Sequence, residues 1–86
     1  MTRDEAVQLV DQYLQRHQPE DYHLVVVPEA TREEDGWWIV AVGADRPGIR
    51  RYDYYDRLAQ TERELEDEVE ANISLMPPPS GLTPAA

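Results

Sequence analysis

Two adjacent tryptophans, Trp37 and Trp38, open the run Trp-Trp-Ile-Val-Ala-Val42, which Gly36 precedes. Six β-branched, aromatic or small apolar residues in a row have strand length and strand composition. Successive side chains of a strand point to opposite faces, so the two indoles cannot enter one core. The run Tyr-His-Leu-Val-Val-Val27 repeats the message, with Tyr22, Leu24 and Val26 on one face and Val25 and Val27 on the other. Both faces of a sheet built from these runs are therefore apolar. Helices or chain ends can cover one face each and close the monomer. Otherwise both helices cover the same face, and the other is left as a patch larger than monomers usually expose, open to self-association or to a partner.

The remaining segments supply the covers. Thr2-Arg-Asp-Glu5 has the capping-box order, and Ala6, Val10, Tyr13, Leu14 and His17 follow at helical spacing with Val7 beside them, predicting a first helix over residues 3 to 17. Pro19 disfavours helix at Gln18 and ends it. The polar stretch 29–36 between the strands ends in Asp-Gly and predicts a long hairpin loop. Pro47-Gly48 suits the second and third positions of a type II turn. Ile49 to Tyr55 then reads as a third strand, with Arg50, Tyr52 and Tyr54 on one face and Arg51, Asp53 and Tyr55 on the other. A second helix starts at Asp56 or at the capping-box pattern Thr61-Glu-Arg-Glu64, with Leu58, Leu65, Val69 and Ile73 as its narrow apolar stripe. Ile73 to Met76 is a short fourth strand or an apolar pin. Residues 77–86, four of them Pro, predict a disordered tail. The expected architecture is a single α+β domain over residues 1–76, with an N-terminal helix, a three-stranded antiparallel meander and an acidic C-terminal helix.

Charge and composition exclude several classes. The 86 residues carry 18 Asp or Glu against 8 Arg and no Lys, a formal charge of −10. So acidic a chain does not suit binding to nucleic-acid phosphates, which needs clustered cations. With no cysteine there is no thiol nucleophile, no disulfide and no Cys-based zinc site. No apolar stretch reaches the length of a membrane span, and no signal peptide is visible, so the expected location is the cytoplasm.

Candidate chemistry is sparse. The only serines are Ser74 and Ser80, neither at a recognisable interval from His or Asp. His17 and His23 are six apart across a proline rather than four apart on one helix, and the four glycines are scattered, so no catalytic, metal or cofactor residues are assigned. Arg50 to Arg57 interleaves Tyr and Arg with Asp, a composition that suits protein contact better than RNA. The second helix is the anomaly. Residues 56–72 hold seven acids and two Arg, a net −5 and half of the chain's charge. Glu62/Glu66, Glu64/Glu68 and Glu66/Glu70 are like-charge pairs at i,i+4, each unfavourable by about 0.2–0.5 kcal/mol. A basic partner would relieve that repulsion. The D-x-D-x-D-G calcium loop is absent. The candidate partner-binding residues are therefore Glu62, Glu66, Asp67 and Glu70 on the helix, Trp37 and Trp38 on the strand, and Tyr52 and Tyr54.

Ala6, Leu14, Val25 to Val27 and Gly36 to Val40, taken in order over residues 5–42, resemble the opening of the bacterial immunity protein 35 family, in which a Gly-Trp-hydrophobic strand follows a helix and a first strand. That resemblance implies an α+β domain that neutralises a toxin, and it transfers no functional residues. The composition independently suits a non-catalytic protein-interaction module that pairs with itself through a sheet face or docks a basic protein. Alternatives are an immunity- or antitoxin-like inhibitor of a basic toxin and a small-ligand-binding accessory domain using Tyr52, Tyr54 and nearby carboxylates.

Overall fold

The computed structural model describes residues 1–46 and 48–78. Helix α1, Arg3–Leu14, passes through a single 3-10 turn, Gln15–His17, into strand β1, Leu24–Glu34, and strand β2, Trp37–Ala44; helix α2, Arg51–Val69, and strand β3, Ile73–Met76, complete the order αββαβ. The capping box is formed, with the Thr2 Oγ1 accepting from the Glu5 amide at 3.2 Å and Glu5 Oε1 accepting from the Thr2 amide at 3.0 Å. Those bonds hold the Glu5 carboxyl below the usual carboxylate range. Gln18, extended before Pro19, ends the helical segment.

The sheet runs β1-β2-β3, and it departs from the expected meander. β1 and β2 form an antiparallel hairpin, but β3 lies parallel to β2, with Trp38 opposite Ile73 and Ala41 opposite Met76. Residues 51–55 are not a strand: they are the first turns of α2, so that α2 becomes the crossover of a β-α-β unit. The reason is a helical stripe that alternation concealed. Tyr54, Leu58, Thr61 and Leu65 are its buried residues, spaced four, three and four apart, and Asp53 pairs with Arg57 one turn on. Neither Asp56 nor Thr61 caps the helix; the Thr61 hydroxyl instead donates to the Arg57 carbonyl inside it. Val69, expected in the stripe, is exposed, and Ile73 belongs to β3, confirming the short C-terminal strand.

The hairpin also differs. Glu34 pairs with Trp37, so the connection is two residues long, with Asp35 at φ +52° and Gly36 at φ +84°. Both positive φ values mark a type I′ turn, whose twist matches the flanking strands. The extra residues of 29–34 are absorbed in β1 itself, where five steps from Val27 to Arg32 oppose two from Ala41 to Ile39. Pro28, which has no amide to donate, sits in that irregularity, and Thr31 closes it by donating to the Val27 carbonyl at 3.0 Å. Gly48 has φ +78°, while Pro47 and the part of the expected disordered tail from residue 79 on lie outside the described residues.

Candidate functional site

Both helices pack on the same face of the sheet. The core joins Ala6, Val10 and Leu14 of α1 and Tyr54, Leu58 and Leu65 of α2 to Leu24, Val40, Val42, Ile73 and Leu75 beneath them, and Val26 and Trp38 pack against it. By strand alternation Val25, Val27, Trp37, Ile39, Ala41, Ser74 and Met76 point the other way, and none of them belongs to that cluster. Val27 on β1 and Ala41 on the central β2 are nonetheless buried, but Trp37 is 46% exposed and Met76 43%. The two adjacent indoles are thus divided as alternation requires, Trp38 to the helices and Trp37 to the open side.

The two edges of the sheet are closed differently from its open face. On β1 the Gln18 side chain imitates a strand: its Oε1 accepts from the Leu24 amide at 2.9 Å and its Nε2 donates to the Leu24 carbonyl at 3.0 Å. On β3 Glu62 reaches down from α2, and its Oε1 accepts from the Leu75 amide at 2.6 Å. Ser74 and Asn72 face β2 with their backbone, so Leu75 offers its amide to the free edge, and a carboxylate occupies it. The β3 edge and the Leu24 end of β1 are thereby blunted against pairing with a further strand.

The acidic helix is divided along its length by what its carboxylates touch. Glu64 and Glu68 clasp the end of α1: Arg16 lies 3.4 Å from Glu64 and 3.0 Å from Glu68, and His17 Nε2 lies 2.8 Å from Glu64. Glu68, the largest influence, holds the Arg16 guanidinium above its usual pKa, and Arg16 also covers the Tyr13 ring at 4.5 Å. Glu62 serves the sheet edge. Among the described residues Glu66, Asp67 and Glu70 make no ion pair. Glu66 and Glu70 line a cleft of about 590 Å³ with Glu62, Asn72, Ser74 and the exposed Trp37.

The eight candidate residues are therefore only partly united. Trp37, Glu62, Glu66 and Glu70 come together at one rim of the open face. Asp67 is exposed but lies outside the cleft. Trp38 is half-buried and packs towards the core, on the opposite side of the sheet from Trp37. Tyr54 is likewise buried: its hydroxyl donates to the Val42 carbonyl, and burial pushes its pKa up to about 12. Tyr52, 88% exposed, shares a helix rather than a strand face with the buried Tyr54, so the two rings do not present one surface.

A cluster that strand alternation hid lies at the other end of α2. The Tyr22 hydroxyl donates to Asp53 Oδ2 at 2.8 Å, Arg57 Nε donates to the same oxygen at 2.9 Å, and Arg57 Nη1 donates to the His17 carbonyl at 2.7 Å. Burial, then the Asp53 carboxylate, pushes the Tyr22 hydroxyl up to about 12, while the bonds from Arg57 and Tyr22 hold Asp53 below the usual carboxylate range. These contacts tie the 3-10 turn after α1 and the segment before β1 to α2, and the i,i+4 spacing of Asp53 and Arg57 is the signal that marks them in the sequence.

Among the described residues no group of three or more His, Asp or Glu is placed to hold a metal ion, and no helix is long and apolar enough to cross a membrane. Comparison of the chain with profiles of known protein families, with curated proteins and with solved structures finds no significant match.

Proposed function

We propose that this chain is a non-catalytic protein-interaction module that works through the open face of its sheet. One observation carries the reading: α1 and α2 share one face, so Val25, Ile39 and Met76 have no helix above them, and Trp37 stands at their margin. A small domain gains about 25 cal/mol per Å² of apolar surface removed from water, and a second layer over this face is the direct way to that gain. The polar groups that a catalytic reading would recruit have structural employment instead. His17 bonds Glu64, Asp53 bonds Tyr22 and Arg57, and the Ser74 hydroxyl points to Glu62.

The test uses the chain as bait in a cell extract beside its Ile39→Asp and Trp37→Ala variants, with circular dichroism as a control of folding. Expected is a bound protein, either another chain or a second copy, that both folded variants lose. Capture unchanged by both variants overturns the reading. The narrower form in which the partner is a basic toxin, as for an immunity- or antitoxin-like inhibitor, is favoured by Glu66 and Glu70 at the rim, which make no ion pair among the described residues.

A further inference from the structure

We infer that the occupant of the open face is an amphipathic helix of another protein, apolar along one stripe and carrying Arg or Lys beside it. The inference rests on the reading of that face as an interaction surface and names what fills it.

Three observations select this occupant. An added strand needs a free edge: Glu62 takes the outward Leu75 amide of the short β3, the edge beside the Trp37 cleft, and Gln18 takes the Leu24 end of β1, so a partner that reaches the cleft approaches the face and not the β3 ladder. The size of the face is the second. Three strands of 11, 8 and 4 residues, about 4.8 Å apart and rising about 3.3 Å per residue, enclose an outline on the order of 350 Å². Even doubled for the relief of its side chains, that stays under the ~800 Å² per partner of a stable dimer. A helix about 10 Å across spans such a sheet from β1 to β3. Charge is the third. Glu66 and Glu70 make no ion pair among the described residues and border one cleft with the exposed Trp37, so a cation on the helix flank meets two carboxylates and the face of an indole. A second copy brings another −10 and offers the same rim to itself.

The test displays a library of 18-residue peptides with a fixed Leu stripe at helical spacing and flanking positions free to be Arg, Glu, Gln or Ser, selected on the full chain. Sedimentation of the chain alone at the same concentration runs in parallel. The expected result is enrichment of Arg on one flank. Binding of the enriched peptides should fall at least tenfold in Ile39→Asp and Trp37→Ala, and about three- to tenfold in the double variant Glu66→Gln/Glu70→Gln, as two exposed ion pairs would contribute. No enrichment, or enrichment without preference for Arg, overturns the inference. A dimer of the chain that Ile39→Asp dissociates also overturns it, since a second copy then fills the face, and that outcome leaves the face itself an interface. Enriched peptides that bind Ile39→Asp and Trp37→Ala as well as the parent overturn both the inference and the reading beneath it.

Discussion

On one face of the sheet Leu24, Val40, Val42 and Leu75 are sealed beneath two helices; on the other Val25, Ile39 and Met76 have none above them. The side chains are of the same kinds, so hydrophobicity of the strands did not decide which face became the core. The helices decided it. α1 and α2 each carry one apolar stripe, and each stripe needs the same neighbour as well as the sheet: Tyr13 of α1 donates to Glu68 of α2, and Arg16 and His17 hold Glu64. Splitting the helices between the faces would break that clasp. A face left apolar by the economy of the fold then becomes available for another molecule.

The sharpest way to break this comparison is to truncate one residue on each face. Leu65, fully buried, should lose about 2–5 kcal/mol of stability as Leu65→Ala, the range for a buried leucine that leaves a cavity. Ile39→Ala on the open face should lose about 1 kcal/mol or less in the isolated chain. Denaturant melts of the two variants measure the difference directly. Equal losses would mean that Ile39 is covered in solution.

A smaller effect separates a buried polar contact from the apolar ones. β3 stops at Met76 opposite Ala41, so the Val42 carbonyl has no strand residue facing it, and the Tyr54 hydroxyl supplies the missing donor. Tyr54→Phe should cost about 1–3 kcal/mol, the penalty of a buried carbonyl left unsatisfied. It also has a pH signature. The hydroxyls of Tyr54 and Tyr22 are pushed up to about 12 in the folded protein, whereas tyrosines of an unfolded chain ionise near ~10. Raised pKa values mean that the folded state holds these protons more tightly. Their stabilisation is whole below pH ~10 and is lost as the pH climbs from there towards about 12. Denaturant midpoints taken along that limb should fall less steeply in Tyr54→Phe.

How much of this was legible in the sequence depends on how local the cause is. The capping box at Thr2 and Glu5, the opposed faces of Trp37 and Trp38 and the stop at Pro19 rest on neighbours in the chain, and each formed as read. The type I′ turn at Asp35-Gly36 was also written locally, yet the polar residues before it, interrupted only by Ala30, argued for a loop; they are the far end of an edge strand. Tyr-rich residues 51–55 read as a strand because aromatic propensity outweighed a stripe of spacing four, three and four that needs Thr61 as a core residue. Glu62 and Glu66 are the hardest case. One turn apart and identical in type, they differ only through the placement of β3, which puts the Leu75 amide within reach of one and leaves the other to the cleft.

That pair offers the next prediction. Glu62→Ala withdraws an ionised acceptor from the Leu75 amide and opens the β3 edge, so it should cost about 1–2 kcal/mol and make the chain associate as its concentration rises. Glu66→Ala should change stability by no more than about 0.5 kcal/mol and leave the sedimentation of the isolated chain as it was. Sedimentation and denaturation of the two variants side by side distinguish a carboxylate that guards an edge from one that waits at a rim; matching behaviour would refute the division.

The smallest effect lies at the cluster joining the 3-10 turn and the segment before β1 to α2, where solvent screens the charges. Arg57 and Tyr22 both bond Asp53, and together they hold its pKa below the usual carboxylate range. A lowered pKa means that the folded state releases this proton more readily than the unfolded chain does. The stabilisation is therefore present above the unfolded value of about 4 and is lost as the pH falls through the folded one. Asp53→Asn keeps the shape and removes the charge, so it should cost about 1 kcal/mol or less at neutral pH and flatten the acid limb of the stability profile. Since Arg57 also donates to the His17 carbonyl, the guanidinium keeps one partner in the variant, which is why the cost stays small. A loss at neutral pH as large as that of Leu65→Ala would instead make this cluster a second core, and the contrast between one sealed face and one open face would no longer account for where the stability of the domain resides.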